Sequence, residues 1–417
     1  MHPIRQNARV LSASLVGTAV EFFDFYIFGT AAALVFGPLF FPSESTAAQQ
    51  LAAFMSFGLA FFARPLGAIA FGHFGDRVGR KATLVASLLL MGLSTVLIGV
   101  LPGYAAIGFV APLLLCVLRF GQGFGLGGEW GGAALLAVEN APKGWEARFG
   151  AAPQMGAPLG FLFSNGLFLL LGMGLSEADF VSWGWRIPFL ASAVLVAVGL
   201  WIRLKITETP AFAAAEAPPV AVPIANVIRQ HPLLLLAASA GAASCFAVFY
   251  LSTAFALSYG TSTLKIDRQT FLALQLGANV FLAIGIIGAA VAADRFGASR
   301  IMVLGATLTI VTGLVFGPVM ASGSLPAIFI MLSFALLVMG LSYGPLGGWL
   351  SGLFPVRVRY TAISLAFTFG GIVGGALTPI AAQQLAASGQ IVAAGWLLAA
   401  VAVLTLAGLR LAKPAVA

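Results

Sequence analysis

Twelve long apolar runs, separated by short polar connections, make up most of this chain. They cover roughly residues 11–40, 50–72, 82–101, 106–138, 148–172, 183–203, 232–260, 269–292, 301–320, 325–350, 360–384 and 391–411. At a rise of about 1.5 Å per residue, each run can cross a hydrocarbon layer about 30 Å thick as an α-helix. The pattern predicts an all-α membrane protein with twelve transmembrane helices.

The composition agrees with this pattern and excludes several classes of protein. Hydrophobic residues make up 60% of the chain and charged residues only 8%, whereas soluble domains are about 25% charged. The net charge of +8 could indicate nucleic-acid binding, but the basic residues occur in short connections rather than in one patch. We therefore expect contact with membrane lipid and no nucleic-acid partner. The first run contains Glu21 and Asp24 and no convincing cleavage site, which indicates a retained helix rather than a signal peptide.

The distribution of arginine and lysine predicts the orientation of the helices. If both termini are cytoplasmic, the connections on the outer side contain only Arg186, Lys265 and Arg268, and the cytoplasmic connections contain most of the other basic residues. The positive-inside rule requires an asymmetry of this sign. It predicts a multi-pass protein of the cell inner (cytoplasmic) membrane with both termini in the cytoplasm.

A Pro- and Ala-rich stretch divides the chain into two related halves. It contains TETPAFAAAEAPPVAVP and lies in the longest connection, about residues 204–230. The motif GDRVGR at 75–80 recurs as ADRFGASR at 293–300, each time between the second and third helix of its half. We predict an N-terminal six-helix bundle over 1–203, a cytoplasmic linker over 204–230 and a C-terminal six-helix bundle over 231–417.

The segment Arg119–Glu139 is apolar enough for a membrane and yet contains several polar residues. Projected as one continuous helix, its glycines share one narrow side: Gly121, Gly125, Gly128 and Gly132. The opposite side contains Arg119, Gln122, Leu126, Glu129 and Trp130. Small residues at this spacing let two membrane helices approach closely, so the glycine side should contact a helix and the polar side should line a cavity.

Five ionisable residues lie at membrane depth, all in the first half: Glu21, Asp24, Arg64, Arg119 and Glu129. Each costs roughly 2.5–3.5 kcal/mol on insertion scales, so together they would cost over about 10 kcal/mol if they were unpaired. We expect them to converge, either by pairing with one another or around a wet cavity.

The carboxylates among them are candidates for proton coupling. Glu21 and Asp24 are three residues apart on the first helix, and two carboxylates that close in a low dielectric disfavour double ionisation. Glu129 is placed to receive a proton that leaves toward the cytoplasm. The alternative is structural: Glu21 and Asp24 would neutralise Arg64 or Arg119, and Glu129 would accept from a backbone or indole donor.

The two deep arginines are candidates for binding a cargo carboxylate. Arg64 lies twelve residues before Asp76, or about 18 Å along a helix, which is too deep for its side chain to reach the membrane surface easily. A guanidinium group stays charged and binds a carboxylate through two parallel hydrogen bonds. For both Arg64 and Arg119 the alternative is an ion pair that only holds the helices together.

Polar and aromatic residues at similar depth are candidates for contacts with the uncharged parts of a cargo. They are Tyr26, Gln122, Trp130, Gln154, Asn165, Tyr250, Gln275, Asn279, Tyr343 and Thr368. The alternative for each is a hydrogen bond that only packs two helices, which is the commoner role of such residues.

The repeated loop motif predicts a conformational latch. Its residues are Asp76, Arg77, Gly79 and Arg80 in the first half and Asp294 and Arg295 in the second. An aspartate beside a helix end can accept from free backbone N–H groups and form salt bridges across the two halves. Glu139 falls on the glycine side of its helix and is predicted to pack against this loop.

Several stretches resemble known transporters. GHFGDRVGRK is similar to the signature loop of the major facilitator superfamily. The segments Val16–Pro42, Arg119–Gly144 and Phe354–Leu385 resemble the metabolite:proton symporter family in wording and order. The resemblance implies the major facilitator fold, proton-driven import, and a cargo among small carboxylates or zwitterions such as proline and betaine. The chain departs from the family at Ser351–Pro355, where an AELFP-like segment with a glutamate is expected.

Other functions lack their motifs. No lysine follows a glycine and no histidine is followed by a glutamate, so neither a GxxxxGK phosphate loop nor an HExxH zinc motif is present. We expect no enzyme activity, no cofactor and no metal. The prediction is a monomeric secondary active transporter that imports a small organic anion (a mono-, di- or tricarboxylate) in symport with protons. The alternatives are proton-coupled uptake of a zwitterionic compatible solute, or a non-transporting receptor or channel.

Overall fold

The computed structural model describes residues 3–78, 80–127, 129–205, 223–355 and 358–414. Within these residues the chain is helical nearly throughout and forms no strand. Long helices follow the apolar runs because a backbone in lipid must satisfy its N–H and C=O groups within the segment. The predicted linker falls partly outside the described residues, at 206–222, so the domain boundaries stay a prediction.

Twelve long helices are present in the described part of the chain, which confirms the predicted fold class. We label them in chain order: α1 Val10–Phe40, α2 Thr46–Val78, α3 Arg80–Val100, α4 Val110–Glu139, α5 Glu146–Gly174, α6 Arg186–Lys205, α7 Pro232–Ser262, α8 Arg268–Phe296, α9 Ala298–Ala321, α10 Leu325–Ser351, α11 Arg359–Ala387 and α12 Ile391–Leu411. Ten satisfy length and apolarity criteria for a membrane span outright. The apolar part of α3 is shorter, Val85–Val100, and α6 forms a bent span with the preceding Glu177–Gly184, at 44°.

Helix packing repeats between the halves with a shift of six helices. In the first half α1 packs on α5, α2 on α4, and α3 on both α4 and α6. In the second half α7 packs on α11, α8 on α10, and α9 on both α10 and α12. The contacts between the halves are related in the same way, since α5 meets α8 and α10 while α11 meets α2 and α4.

Helix irregularities occur in helices that contact the other half. Single π-helical turns interrupt α1 at Ala32–Phe36, α7 at Leu251–Phe255 and α11 at Ile372–Leu377. The helix α5 has a turn at Met155, and α10 breaks at Gly344. A π turn or a break releases backbone groups from the regular ladder and permits a local bend.

The polar helix α4 departs from regular α-helix at Gly127, which forms a turn. The regular segments on either side are Val110–Leu126 and Glu129–Glu139, and we call the turn at Gly127 the break in α4. Gly127 lies at the break, where a Cβ atom would overlap the backbone of Arg64 and Ala68 on α2. The break therefore occurs where two helix backbones touch.

The glycines of α4 also form two contact sides rather than one. Gly121 and Gly125 pack on α3, against Ser94 and Met91, as the predicted small-residue side requires. Gly123, like Gly127, packs against α2 instead. The helix is wedged between α2 and α3, so both of its flanks need small residues. Gly128 lies outside the described residues.

Candidate functional site

A layer of aromatic rings closes the centre of the interface between the halves. We define the aromatic layer as the packed rings of α1, α2 and α7: Phe25, Tyr26, Phe57, Phe61, Phe249 and Tyr250. The centroid of the Tyr26 ring lies 4.8 Å from that of Phe249, and the centroid of Tyr250 lies 5.2 Å from Phe57 and 5.4 Å from Phe61. All six side chains are buried. Two cavities flank this layer.

The first, which we call the Arg64 cavity, lies between α1, α2 and α4 of one half and α11 of the other. It contains about 420 Å³ not occupied by protein atoms, part of it open to the outside. Its lining residues are Glu21, Phe22, Arg64, Leu126, Gly127, Trp130, Gly131, Ser364, Phe367 and Thr368. The break in α4 thus forms part of its wall, because Leu126 and Gly127 lie at the end of the first segment of that helix.

The second, the Asn165 cavity, lies on the other side of Tyr26 and Tyr250 and contains about 250 Å³ not occupied by protein atoms, part of it open to the outside. It is lined by Tyr26, Gly29, Thr30, Phe161, Asn165, Tyr250, Thr253, Ala254 and Leu257. The hydroxyl of Thr30 donates to Oδ1 of Asn165 over 2.6 Å. Its lining is mostly apolar and has no ionisable carboxylate or cation among the described residues.

Arg64 combines burial with access to a cavity. Its guanidinium carbon lies 4.4 Å from the centroid of Phe25 and 4.9 Å from that of Phe61, so two rings of the aromatic layer stabilise the positive charge. The side chain is buried, and its Nε has no hydrogen-bond partner among the described residues. Glu21 lines the same cavity. The structure therefore places Arg64 in the wall of a cavity, and its contact with a cargo stays a prediction.

Arg119 lies deeper in the first half than predicted. Its guanidinium carbon is 4.1 Å from the centroid of Phe25, 4.0 Å from Phe28 and 5.0 Å from Phe57, and the residue has no exposed surface. Its Nη1 donates to Oε1 of Gln122 over 2.9 Å. Neither Arg119 nor Gln122 lines either of the two cavities. This position favours a supporting role for both residues.

A hydrogen-bonded chain anchors this arginine within the first half. Its Nε donates to the backbone carbonyl of Phe57 on α2 over 3.3 Å. The amide of Gln122 donates to Oγ1 of Thr95 on α3 over 2.7 Å, and Thr95 in turn donates to the carbonyl of Met91. The polar side of α4 therefore joins α2 and α3 instead of facing the interface at this level.

Trp130, Gln154 and Tyr343, three of the candidate cargo contacts, come together and connect the halves. The indole N–H of Trp130 donates to Oε1 of Gln154 over 2.9 Å, and Nε2 of Gln154 donates to the carbonyl of Tyr343 over 2.9 Å. The ring of Trp130 also stacks on Phe367 of α11, with centroids 3.6 Å apart. One indole thus contacts a helix of its own half and a ring of the opposite half.

The predicted carboxylate pair on α1 is divided between two environments. Oδ1 of Asp24 accepts a hydrogen bond of 2.6 Å from Ser192 of α6, while its Oδ2 has no hydrogen-bond partner among the described residues. Asp24 is almost completely buried and lines neither cavity, whereas Glu21 lines the Arg64 cavity. Ser192 was missed because a single serine in an apolar helix carries no pattern.

The five deep ionisable residues therefore converge only in part. Glu21 and Arg64 line one cavity, and Arg64 and Arg119 contact the same ring of Phe25. Asp24 is bound to α6 instead. Glu129 is buried in the first turn of the second segment of α4.

Gln275 and Asn279 make structural hydrogen bonds from α8. Nε2 of Gln275 donates to the carbonyls of Ser252 and Thr253, at 2.9 and 2.8 Å, in the π turn of α7. Nδ2 of Asn279 donates to the carbonyl of Pro158 on α5 over 2.8 Å, which crosses between the halves. The amide of Gln275 thus provides hydrogen-bond donors for backbone carbonyls that the π turn leaves without their regular helical partners.

Asp294 joins the end of α8 to the start of α5. Its Oδ1 accepts from the backbone N–H of Ala147 over 2.8 Å, and its Oδ2 accepts from the N–H of Arg148 and pairs with Nε of the same arginine at 3.2 Å. A carboxylate is favoured here because the first N–H groups of a helix have no partner in the helix itself. We call this the Asp294 contact.

The other predicted latch residues either lie outside the described residues or are exposed. The structure does not describe Gly79 or the side chains of Asp76, Arg77 and Arg80. Arg295 is exposed and lies 5.2 Å from the ring of its own neighbour Phe296. Glu139 is exposed. The side chains of the loop against which it is predicted to pack lie outside the described residues, so this packing stays a prediction.

A second bridge between the halves, at the opposite end of the interface, was not anticipated from the sequence. Arg268 at the start of α8 pairs with Glu177 at 2.9 Å and lies 3.7 Å from the centroid of Phe180. Its neighbour Gln269 donates to the carbonyl of Gly172 over 2.7 Å. Both ends of the interface are therefore bridged, with the two cavities between them.

Comparisons with known proteins agree with this architecture. Residues 10–217 match the family described as Sugar (and other) transporter. The chain is 46% identical over 416 residues to the inner membrane metabolite transport protein YhjE of Escherichia coli, covering 98% of this chain and 94% of that protein. It is 38% identical to the shikimate transporter of E. coli, covering 90% and 87%. It is 29% identical to the proline/betaine transporter of E. coli, covering 92% and 78%.

The same architecture is found among solved structures. A D-xylose-proton symporter matches over 97% of both chains with a TM-score of 0.76 at 16% sequence identity. A xylose transporter of E. coli in a partially occluded inward open conformation matches with a TM-score of 0.75 at 14% identity, covering 95% of each chain. At these identities the likeness concerns the fold alone.

Proposed function

Given that this chain belongs to the major facilitator superfamily as a metabolite transporter, we propose that it imports a small organic anion together with protons. The chain is a transporter and not an enzyme, which also sets aside the receptor and channel alternatives. The cargo class and the proton coupling are the proposal. We place the protein in the cell inner membrane with both termini cytoplasmic, as the charge distribution favours, and expect it to act as a monomer.

One observation carries the proposal: a buried arginine lines a cavity between the two halves. Arg64 presents a guanidinium group with a free Nε at this cavity, and a charged donor there suits a carboxylate. In this fold the substrate lies between the halves near the middle of the bilayer. The name of the shikimate transporter supports the same class of cargo, since shikimate is a carboxylic acid.

The neighbouring residues receive roles from their positions. Trp130 would form the wall against the cargo, because it lines the cavity and stacks on Phe367 of the opposite half. Arg119 and Gln122 would hold α2, α3 and α4 together behind the site.

The carboxylates would carry the proton. A buried carboxylate with no cation bound to it is costly when ionised, so proton exchange at Asp24 would be linked to a change in its surroundings. Glu21 would exchange its proton at the cavity, and Glu129 would accept a proton on the way out of the site.

We propose that the N-terminal and C-terminal bundles rock against each other to expose the cavities in turn. The Asp294 contact and the Arg268–Glu177 pair bridge opposite ends of the interface, so that each would have to open in one half of the cycle. The positive-inside rule assigns the Asp294 end to the cytoplasm.

We expect replacement of these two bridges to open opposite ends. In a background lacking Cys116 and Cys245, Thr368→Cys reports on the Arg64 cavity and Thr253→Cys on the Asn165 cavity. Asp294→Asn removes the charge that pairs with Arg148. Loss of an ion pair of about 1 kcal/mol shifts the equilibrium between the closed and open states of this end about fivefold toward the open state. Labelling of Thr368→Cys by a membrane-impermeant maleimide should rise by that factor.

The matched variant is Glu177→Gln, which should raise labelling of Thr253→Cys and leave Thr368→Cys unchanged. Equal labelling of both reporters in both variants would contradict the assignment of the two bridges to opposite ends.

A zwitterionic cargo is the second candidate. It is favoured by the presence of an acid and a base in one cavity, since Glu21 and Arg64 could receive the cationic and anionic groups of such a cargo. The proline/betaine transporter, at 29% identity, is a relative with a name of this kind.

Proton-driven accumulation tests the proposal. Purified protein is reconstituted into liposomes with an alkaline lumen and mixed with a panel of organic acids and betaine, and the internal contents are measured by mass spectrometry. We expect at least one carboxylate to accumulate above its external concentration and a protonophore to abolish the accumulation. Uptake that the pH gradient leaves unchanged would overturn the symport proposal.

A further inference from the structure

Of the two deep arginines, one lines the Arg64 cavity and the other does not. This difference limits how many carboxylates of a cargo can be paired there. Arg64 lines the cavity between the halves, whereas Arg119 has no exposed surface and is enclosed by the rings of Phe25, Phe28 and Phe57. Phe25 contacts both guanidinium groups, at 4.4 and 4.1 Å from its centroid. A cargo in the cavity therefore meets one guanidinium group and is separated from the second by aromatic rings.

The charge available to the cargo follows from the lining residues. Among the described residues that line the Arg64 cavity, Arg64 is the only cation and Glu21 the only acid. A single carboxylate can be paired at Arg64. A second carboxylate on the same molecule would meet no positive side chain, and burying a charge without a partner is strongly unfavourable.

The opposite wall offers hydroxyl groups. Ser364 and Thr368 lie one helical turn apart on α11, and both line the cavity. The hydroxyl of Thr368 donates a hydrogen bond of 2.6 Å to the backbone carbonyl of Ser364. Oγ of Ser364 is buried and has no hydrogen-bond partner among the described residues. Nε of Arg64 on α2 and Oγ of Ser364 on α11 are thus two unsatisfied polar atoms on walls that belong to different halves.

We propose that the cargo is a hydroxylated monocarboxylate, with its carboxylate on Arg64 and a hydroxyl on Ser364. This inference rests on the proposed function and narrows it, because it excludes di- and tricarboxylates. The contact with α11 also gives the cargo a reason to bind both halves at once: the carboxylate is held by the first half and the hydroxyl by the second.

The test uses acids that differ in one group. Malate is lactate with a second carboxylate, tartrate is related to glycerate in the same way, and propionate is lactate without its hydroxyl. Shikimate serves as a larger hydroxylated monocarboxylate, and citrate and betaine complete the panel. Each compound is offered to wild-type proteoliposomes under an inward proton gradient, and the internal contents are measured by mass spectrometry. Monocarboxylates with a hydroxyl should accumulate at least tenfold more than their dicarboxylate counterparts.

The hydroxyl contact has its own readout. Ser364→Ala should raise KM for a hydroxylated monocarboxylate about tenfold and leave KM for its deoxy counterpart within twofold. Ser333→Ala is the matched control, because Ser333 is also buried with an unpartnered Oγ but lines neither cavity. Its KM values should equal those of the wild type.

The outcomes separate this inference from the function on which it rests. Gradient-driven accumulation of malate or citrate to the level of the monocarboxylates would overturn the inference and leave proton symport standing. An equal change in KM for hydroxylated and deoxy acids in Ser364→Ala would overturn the hydroxyl contact. Accumulation of betaine alone, or of no compound in response to the gradient, would overturn the organic-anion proposal itself.

Discussion

Replacing Arg64 by lysine is expected to weaken binding of the organic-acid cargo about a hundredfold, which corresponds to about 2.8 kcal/mol. Lysine keeps the positive charge but loses the planar fork that pairs with both carboxylate oxygens. It also loses the stacking of the guanidinium on Phe25 and Phe61, which positions the group at the cavity wall. The dissociation constant is measured by titration calorimetry on the purified variant, after its thermal unfolding has shown that the fold is retained.

The chain offers a matched control at the same ring. Arg119 contacts Phe25 as closely as Arg64 does, but it lines neither cavity. Arg119→Lys should therefore change the dissociation constant by less than about threefold, although loss of the bond to Gln122 should lower its melting temperature. If Arg119→Lys abolished binding while Arg64→Lys left it intact, the two arginines would have to exchange roles.

Asp24→Asn is expected to stop accumulation of the cargo while sparing exchange. The amide has the shape of the carboxylate, and its oxygen can still accept from Ser192, so the helix contact is kept. It has no acidic proton, however, and cannot couple the proton gradient to transport. We expect uphill uptake to fall at least tenfold and counterflow exchange of labelled for unlabelled cargo to remain within about threefold of the wild type.

Counterflow and gradient-driven uptake are measured on the same proteoliposomes, which removes differences in protein content. Asp179→Asn serves as the control, because Asp179 is exposed and outside the site. That variant should match the wild type in both assays. Full accumulation by Asp24→Asn would exclude this residue as the proton carrier and would shift the role to Glu21 or Glu129.

The fold could be predicted because its main determinant is local. A span of the bilayer needs a continuous apolar run, so the runs alone predict twelve helices, and the repeated loop motif at 75–80 and 293–300 predicts the two halves. The ends of helices were less accurate. The helices α2 and α8 continue to Val78 and Phe296, beyond the apolar runs, because helical geometry persists into polar residues where the chain leaves the apolar layer.

The sequence predicted which ionisable residues lie inside the protein better than it predicted where their side chains lie relative to the cavities. An arginine at membrane depth must avoid lipid, which predicts that Arg64 and Arg119 lie inside the protein. Which of them faces a cavity depends on the break in α4 and on the rings that enclose Arg119, and both result from contacts with α1 and α2. A helical projection of one segment contains no information on such contacts.

Partners contributed by single residues were missed for the same reason. Ser192 binds Asp24 across 168 positions of sequence, and Glu177 pairs with Arg268 across 91. Neither residue belongs to a motif, and Glu177 precedes its helix in a short segment that the apolar pattern leaves undefined. Long-range pairs of this kind become visible only when the helices are placed side by side.

Proton movement driven by the cargo is the most direct test of the central claim, that proton and organic anion cross together. Wild-type proteoliposomes with a pH-sensitive dye inside, and no imposed pH gradient, are supplied with a cargo identified in the uptake panel. We expect cargo entry to acidify the lumen in the wild type and Asp24→Asn to abolish the acidification. Entry of the cargo into wild-type proteoliposomes with no change in internal pH would contradict it.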